Sequence, residues 1–144
     1  MLNKRDWILL FLHETPLDRI RLMKALFLFW YRSGKAITDY FAFEPYLYGP
    51  CSFEVYSILD ELTREGLLVQ PLQPVQQWAR YYLTAKGRQE AEKVIRAHDP
   101  KTIEKINEIA REVSHLGFYE LLRKVYTEAP EFAKQSILRD VAKL

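Results

Sequence analysis

The chain of 144 residues has one cysteine, two methionines, three histidines and five glycines. Each scarcity removes a class of function. A lone cysteine cannot close an internal disulfide, so a disulfide-stapled secreted scaffold is excluded. Five glycines leave no glycine-rich loop to cradle phosphates, and neither a Ser-His-Asp order nor a paired-carboxylate motif occurs. His13, His98 and His115 lack ligand spacing, so no metal site and no cofactor is expected. Long apolar runs are also missing. The longest, Ala25 to Tyr31, has seven residues against the ~20 that span a bilayer. Lys4 and Arg5 precede an apolar stretch, but Trp7 to Leu12 is short and flanked by Asp6, His13 and Glu14, which reads as a folded helix rather than a signal peptide. The expectation is a cytoplasmic protein with no membrane association.

Charge of one sign is lacking too. The net charge is +2, too small to argue for nucleic acid. Its distribution is polar, however. Residues 1–35 hold seven bases against three acids, and residues 36–66 hold Arg64 against six acids.

What is present is ordinary globular patterning, with 49% hydrophobic and 14% aromatic residues. So many rings imply a large-ringed core or rings displayed to a partner. Asn3 is positioned to cap a first helix through about Glu14, and Asp6 favours its positive end. Thr15-Pro16, with Asp18 following, reads as the start of a second helix to about Arg32, closed by Gly34. Its later half is apolar on every side, which makes it the central core helix. Tyr40 to Tyr48 reads as an extended segment or edge strand, and Gly49-Pro50 as a turn. Ser52 is placed to cap a third helix, Phe53 to Glu65, with Val55, Ile58, Leu59 and Leu62 facing the core and Gly66 ending it.

Leu67 to Val69 and Arg80 to Thr84 are β-prone runs joined by a proline- and glutamine-rich loop. They form a hairpin whose long tip reads as either mobile or functional. Thr84 caps a fourth helix to about Ala97, and Asp99-Pro100 starts another. Phe118 to Val125 continues helically. Pro130 opens a last helix with Ile137, Leu138, Val141 and Leu144 on one face. The order helix, helix, helix, hairpin, helix predicts a mainly α fold with a small β-hairpin. It corresponds to a single winged helix-turn-helix domain over residues 1–144, with its core at about 15–97 and a C-terminal helical extension at about 99–144.

Winged helices often set the third helix in the DNA major groove. Here its outward positions are Glu54, Ser57, Asp60, Glu61 and Arg64, an acid-rich face for meeting phosphates. The wing offers Gln70, Gln73, Gln76 and Gln77 before its first base, Arg80. Arg21, Lys24 and Arg32 lie near three-four spacing on the second helix. They read either as a patch for phosphate or an acidic partner, or as a solvated rim. Cys51 precedes a helix N-terminus, where a thiol's pKa is lowered, but it has no histidine beside it and also reads as a small filler. Glu104, Glu108 and Glu112 read as a solvated helix face.

Lys24-Ala25-Leu26-Phe27-Leu28, then Phe43-Glu44-Pro45-Tyr46-Leu47-Tyr48-Gly49-Pro50, then Ser52 and Tyr56 resemble the Panacea (SocA-like) antitoxin domain. They resemble still more the YwgA-like proteins of bacteria and archaea. The resemblance covers roughly residues 15–90, and Tyr126 to Ser136 is similar to the end of YwgA-like chains. In the Panacea group it implies neutralising or delivering a toxin by protein contact, without catalysis. In the YwgA-like group it implies no established activity.

The expectation is therefore a non-enzymatic interaction module, antitoxin-like or a defence-associated adaptor, with a protein partner. The alternative is a DNA-binding regulator, and the C-terminal helices offer a homodimer surface. Candidate contact residues are Lys24, Ser52, Phe53, Ser57, Arg64, Trp78 and Arg80. Tyr48, Gly49, Pro50, Gly66, Thr84 and Gly87 form the structural motif.

Overall fold

A computed structural model describes residues 2–138. Among them are six α-helices and two short antiparallel hairpins, so the protein is mainly helical. Helix α1, Lys4–Leu12, begins at a capping box. The Asn3 side chain accepts from Asp6 N at 2.9 Å, and the Asp6 carboxylate accepts from Asn3 N at 3.1 Å. Trp7 to Leu12 are all buried, so α1 shares the centre with α2.

Helix α2, Arg19–Arg32, starts later than the Thr15-Pro16 signal suggests. Leu17 is held extended by a β-bridge to Tyr81, whose N–H donates to the Leu17 carbonyl at 2.9 Å. The cap falls to Asp18, whose carboxylate accepts from the N–H groups of Ile20 and Arg21. Leu22 to Phe29 are buried throughout. Gly34, at φ +76°, turns the chain out of the helix as expected.

Strand β1, Glu44–Tyr46, pairs with β2, Gly49–Cys51, with Pro45 opposite Pro50. The turn is therefore Leu47-Tyr48, and Gly49-Pro50 belongs to the returning strand. Helix α3, Phe53–Arg64, buries the expected stripe of Val55, Ile58, Leu59 and Leu62. Gly66, at φ +78°, directs the chain into β3, Leu68–Val69, which pairs with β4, Tyr82–Leu83. Helix α4, Ala85–Arg96, is capped by Thr84, whose hydroxyl accepts from Gly87 N at 3.0 Å. Helix α5, Pro100–Ser114, is capped by Asp99, and α6 is Phe118–Glu128.

The expected last helix is instead a single 3-10 turn, Pro130–Phe132. Beyond it, Ser136 is buried against the Tyr126 hydroxyl, and Ile137 N donates to the Leu47 carbonyl at 3.0 Å. These tertiary bonds hold the chain in a non-helical path against α6 and the β1–β2 turn. Val141 and Leu144 lie outside the described residues.

One connected apolar core runs from Leu2 to Ala133, centred on an aromatic cluster. Phe27 packs against Tyr31, Phe43 and Phe132 at centroid distances of 5.3, 5.4 and 4.8 Å. The charge polarity of the N-terminal half is resolved within the fold. Lys4 pairs with Glu54 at 3.0 Å, and Arg5 makes a two-pronged bond to Glu65 at 2.7 and 2.8 Å. The bases of α1 thus dock α3 by its acids. Arg32 similarly ties the end of α2 to Glu112 of α5 and Glu128 of α6. No helix among the described residues is long and apolar enough to cross a membrane.

Candidate functional site

The residues expected to contact a partner do not form one surface. Phe53, Ser57 and Arg64 are exposed on α3, and Arg80 is exposed beside β4. Trp78 is half-buried, edge-on to Phe118 at 5.4 Å. Ser52 is buried at the cap position of α3, but its side chain makes no capping bond, and its N–H donates to the Met23 sulfur at 3.4 Å.

Lys24 is 3% exposed, so it shares no basic face with Arg21 and Arg32. Those two are engaged elsewhere. Arg21 donates to Asp18 and to the Leu116 carbonyl, and Arg32 binds Glu112 and Glu128. Neither the surface patch nor the solvated rim describes these bases.

Around Lys24 the elements leave a cavity of about 150 Å³. Its walls are α2 (Arg19, Ile20, Met23), the β1–β2 hairpin (Tyr46 to Gly49, and Cys51) and the start of α3 (Phe53, Tyr56), with Gln77 reaching in from the wing loop. The Lys24 ammonium donates to the Pro50 carbonyl at 2.9 Å. Desolvation lowers its pKa to about 8, opposed weakly by the neighbouring Cys51. Burial pushes the Cys51 thiol up, outweighing the pull of Lys24, so this cysteine is not the activated thiol its place before a helix suggests. Burial, then Cys51, pushes the Tyr56 hydroxyl up to about 12. The Arg19 guanidinium lies 5.7 Å from the Tyr56 ring centroid, a cation–π contact at the cavity rim. Among the described residues no group of three or more His, Cys, Asp or Glu side chains is arranged to hold a metal ion.

The rings around this cavity continue outward as one aromatic surface. Tyr46 meets Phe53 edge-on at 5.0 Å, and across the turn Tyr48 meets Phe118 at 5.6 Å. Phe118 in turn contacts both Trp78 and Tyr119. Tyr46, Leu47, Tyr48, Phe53 and Tyr119 are all exposed, and Leu72 of the wing loop is 94% exposed. Of these, the sequence analysis singles out Phe53 and Trp78 as contacts and Tyr48 as part of the structural motif. Tyr56 enters there only through the family resemblance, and Arg19 and Phe118 are not picked out as site residues. The available signal was Lys24 itself, a lysine one turn from Leu28 on a helix buried on every side.

Gly49 holds the hairpin over this site. Its φ is +91°, and an added Cβ would stand 2.6 Å from the Tyr126 ring. Gly49→Ala should therefore lose roughly 2 kcal/mol, from left-handed strain plus the ring clash. Urea unfolding of Gly49→Ala, Tyr126→Leu and the double variant separates the two. The double variant should recover the clash but keep the strain, and an unchanged midpoint in Gly49→Ala would refute the close approach.

Neither a protein-family model nor a curated protein matches this chain.

Proposed function

We propose that the protein is a non-enzymatic interaction module on a winged-helix core, antitoxin-like or a defence-associated adaptor, that works by contact with a partner protein. The observation that carries this reading is the continuous exposed aromatic surface from Phe53 across the β1–β2 turn to Tyr119. Contiguous exposed rings of this kind mark protein contact surfaces rather than phosphate contacts. The winged-helix assignment draws on chain order. The Leu17–Tyr81 bridge supplies a third strand position between α1 and α2, and β3 and β4 flank the wing after α3. The resemblance of Lys24 to Leu28 and of Tyr48-Gly49-Pro50 with Ser52 to the Panacea group agrees with a contact role, while the resemblance to the YwgA-like group implies no activity.

The alternative is a DNA-binding regulator. It shares the winged-helix order and has Arg64 and Arg80 exposed. Against it, the outward face of α3 carries Asp60 and Glu61, and the bases of α1 that meet α3, Lys4 and Arg5, are paired with Glu54 and Glu65.

A photo-crosslinking amino acid placed in cells at Leu47 should give one discrete protein adduct, and the same group at exposed Glu92 on α4 should give none. Adducts at neither position would overturn the reading. With mixed-sequence duplex DNA, anisotropy should show no salt-sensitive binding. Micromolar affinity that falls steeply with salt would establish the regulator instead.

A further inference from the structure

Lys24 is a buried ammonium with three N–H donors and one acceptor, the Pro50 carbonyl. Among the described residues no carboxylate lines the cavity it faces, which instead carries a second cation, Arg19. A buried charge without a counter-charge is strongly unfavourable, and a methionine would fill the same space without that cost. The remaining walls are chiefly aromatic and apolar, and a void of about 150 Å³ has the size that holds a single benzene-like ring.

We propose that this cavity is a receptor for one carboxylate carried on a small apolar or aromatic body, with Lys24 as the charge that holds it and Arg19 guarding the rim. Two free N–H donors of Lys24 suit the two oxygens of a carboxylate. A phosphate would bring three terminal oxygens against the same two donors inside the cavity. The organic body would lie against Tyr46 and Phe53. Because the cavity opens within the aromatic surface, the carboxylate arrives either as the C-terminus of a partner chain, which rests on the function proposed above, or as a free small molecule.

Two-dimensional NMR titrations of the full chain test this with benzoate, benzamide and phenyl phosphate. Benzoate should saturate, move the amides of residues 49–56, and bind on the order of tenfold tighter than benzamide, the worth of a charge-assisted hydrogen bond. Lys24→Met should abolish that preference. Should that variant fail to fold, Arg19→Ala must weaken benzoate several-fold, and wild-type binding must fall between pH 7 and pH 9.5 as the ammonium deprotonates. Equal binding of benzoate and benzamide, or no saturable binding, overturns the proposal, as does tighter binding of phenyl phosphate. The peptide acetyl-Ala-Ala-Phe, as free acid and as amide, identifies the source. Tighter binding than benzoate, lost in the amide, assigns the group to a partner's C-terminus, and binding of benzoate alone assigns it to a free carboxylate. Benzoate binding without crosslinks at Leu47 would refute the adaptor reading alone. Crosslinks without carboxylate preference would refute the receptor alone.

Discussion

Gly87→Ala should lose about 3 kcal/mol or more and leave much of the protein unfolded, although alanine is the better helix former by about 1 kcal/mol. Gly87 is the third residue of α4, at a point where the helix presses on the chain leaving α3. A Cβ there would collide with the Leu67 carbonyl oxygen, and would stand 2.9 Å from the Leu67 carbonyl carbon and 3.3 Å from its Cα. These are backbone atoms, and they are not free to move. The Leu67 carbonyl accepts from Thr84 N at 3.0 Å, and the Thr84 hydroxyl donates to the Gly66 carbonyl at 2.6 Å. Shifting Leu67 would break the bonds that join the start of α4 to the exit from α3. Gly117→Ala is the control. Its Cβ would meet only the flexible end of Glu120, at 3.1 Å, so the loss should stay within about 1 kcal/mol. Urea denaturation of both variants decides the matter. A Gly87→Ala midpoint at or above wild type would mean that the close approach does not exist.

This contact also shows where sequence reading works and where it stops. Thr84 as a cap and Gly66 as an exit follow from local chemistry, and both are observed. Val55, Ile58, Leu59 and Leu62 follow from helical spacing, and all four are buried. Local rules failed wherever a distant residue competed. Thr15-Pro16 is a good start signal, but Tyr81 holds Leu17 extended and moves the cap to Asp18. Gly49-Pro50 looks like a turn, but pairing with Tyr46 and Pro45 makes it a strand. Pro130 opens only a single turn because Tyr126 and Leu47 bind the residues that follow. The basic first helix and acidic third helix were legible as a polarity. That the polarity joins the two helices depends on Lys4 meeting Glu54 fifty residues away. The candidate site was the least legible part. Lys24 sits at a position that its neighbours bury, yet three-four spacing to Arg21 grouped it with surface bases.

Raising the pH from 7 to about 9.5 should stabilise the free protein, and Lys24→Met should remove that gain. The buried ammonium titrates near 8 in the folded state against 10.5 ordinarily, chiefly through desolvation. Between those values the unfolded chain binds more protons than the folded one, so stability rises with pH. At about 1.4 kcal/mol per pKa unit, the full effect approaches about 3 kcal/mol. Tyr40, Tyr56, Tyr81 and Tyr126 act oppositely. Burial raises each of them, so the unfolded chain loses its phenolic protons first and stability falls above about pH 10. The curve should therefore peak just below pH 10. In Lys24→Met the rise disappears and the tyrosine-driven fall remains, while stability at pH 7 equals or exceeds wild type because an unpaired charge has been replaced by apolar volume. Urea midpoints of the two proteins, taken at intervals across this range, give the result directly. Parallel curves would show that Lys24 is not held in the desolvated state on which the site depends. Saturating benzoate supplies the missing counter-charge, so it should flatten the wild-type rise and leave the Lys24→Met curve where it was.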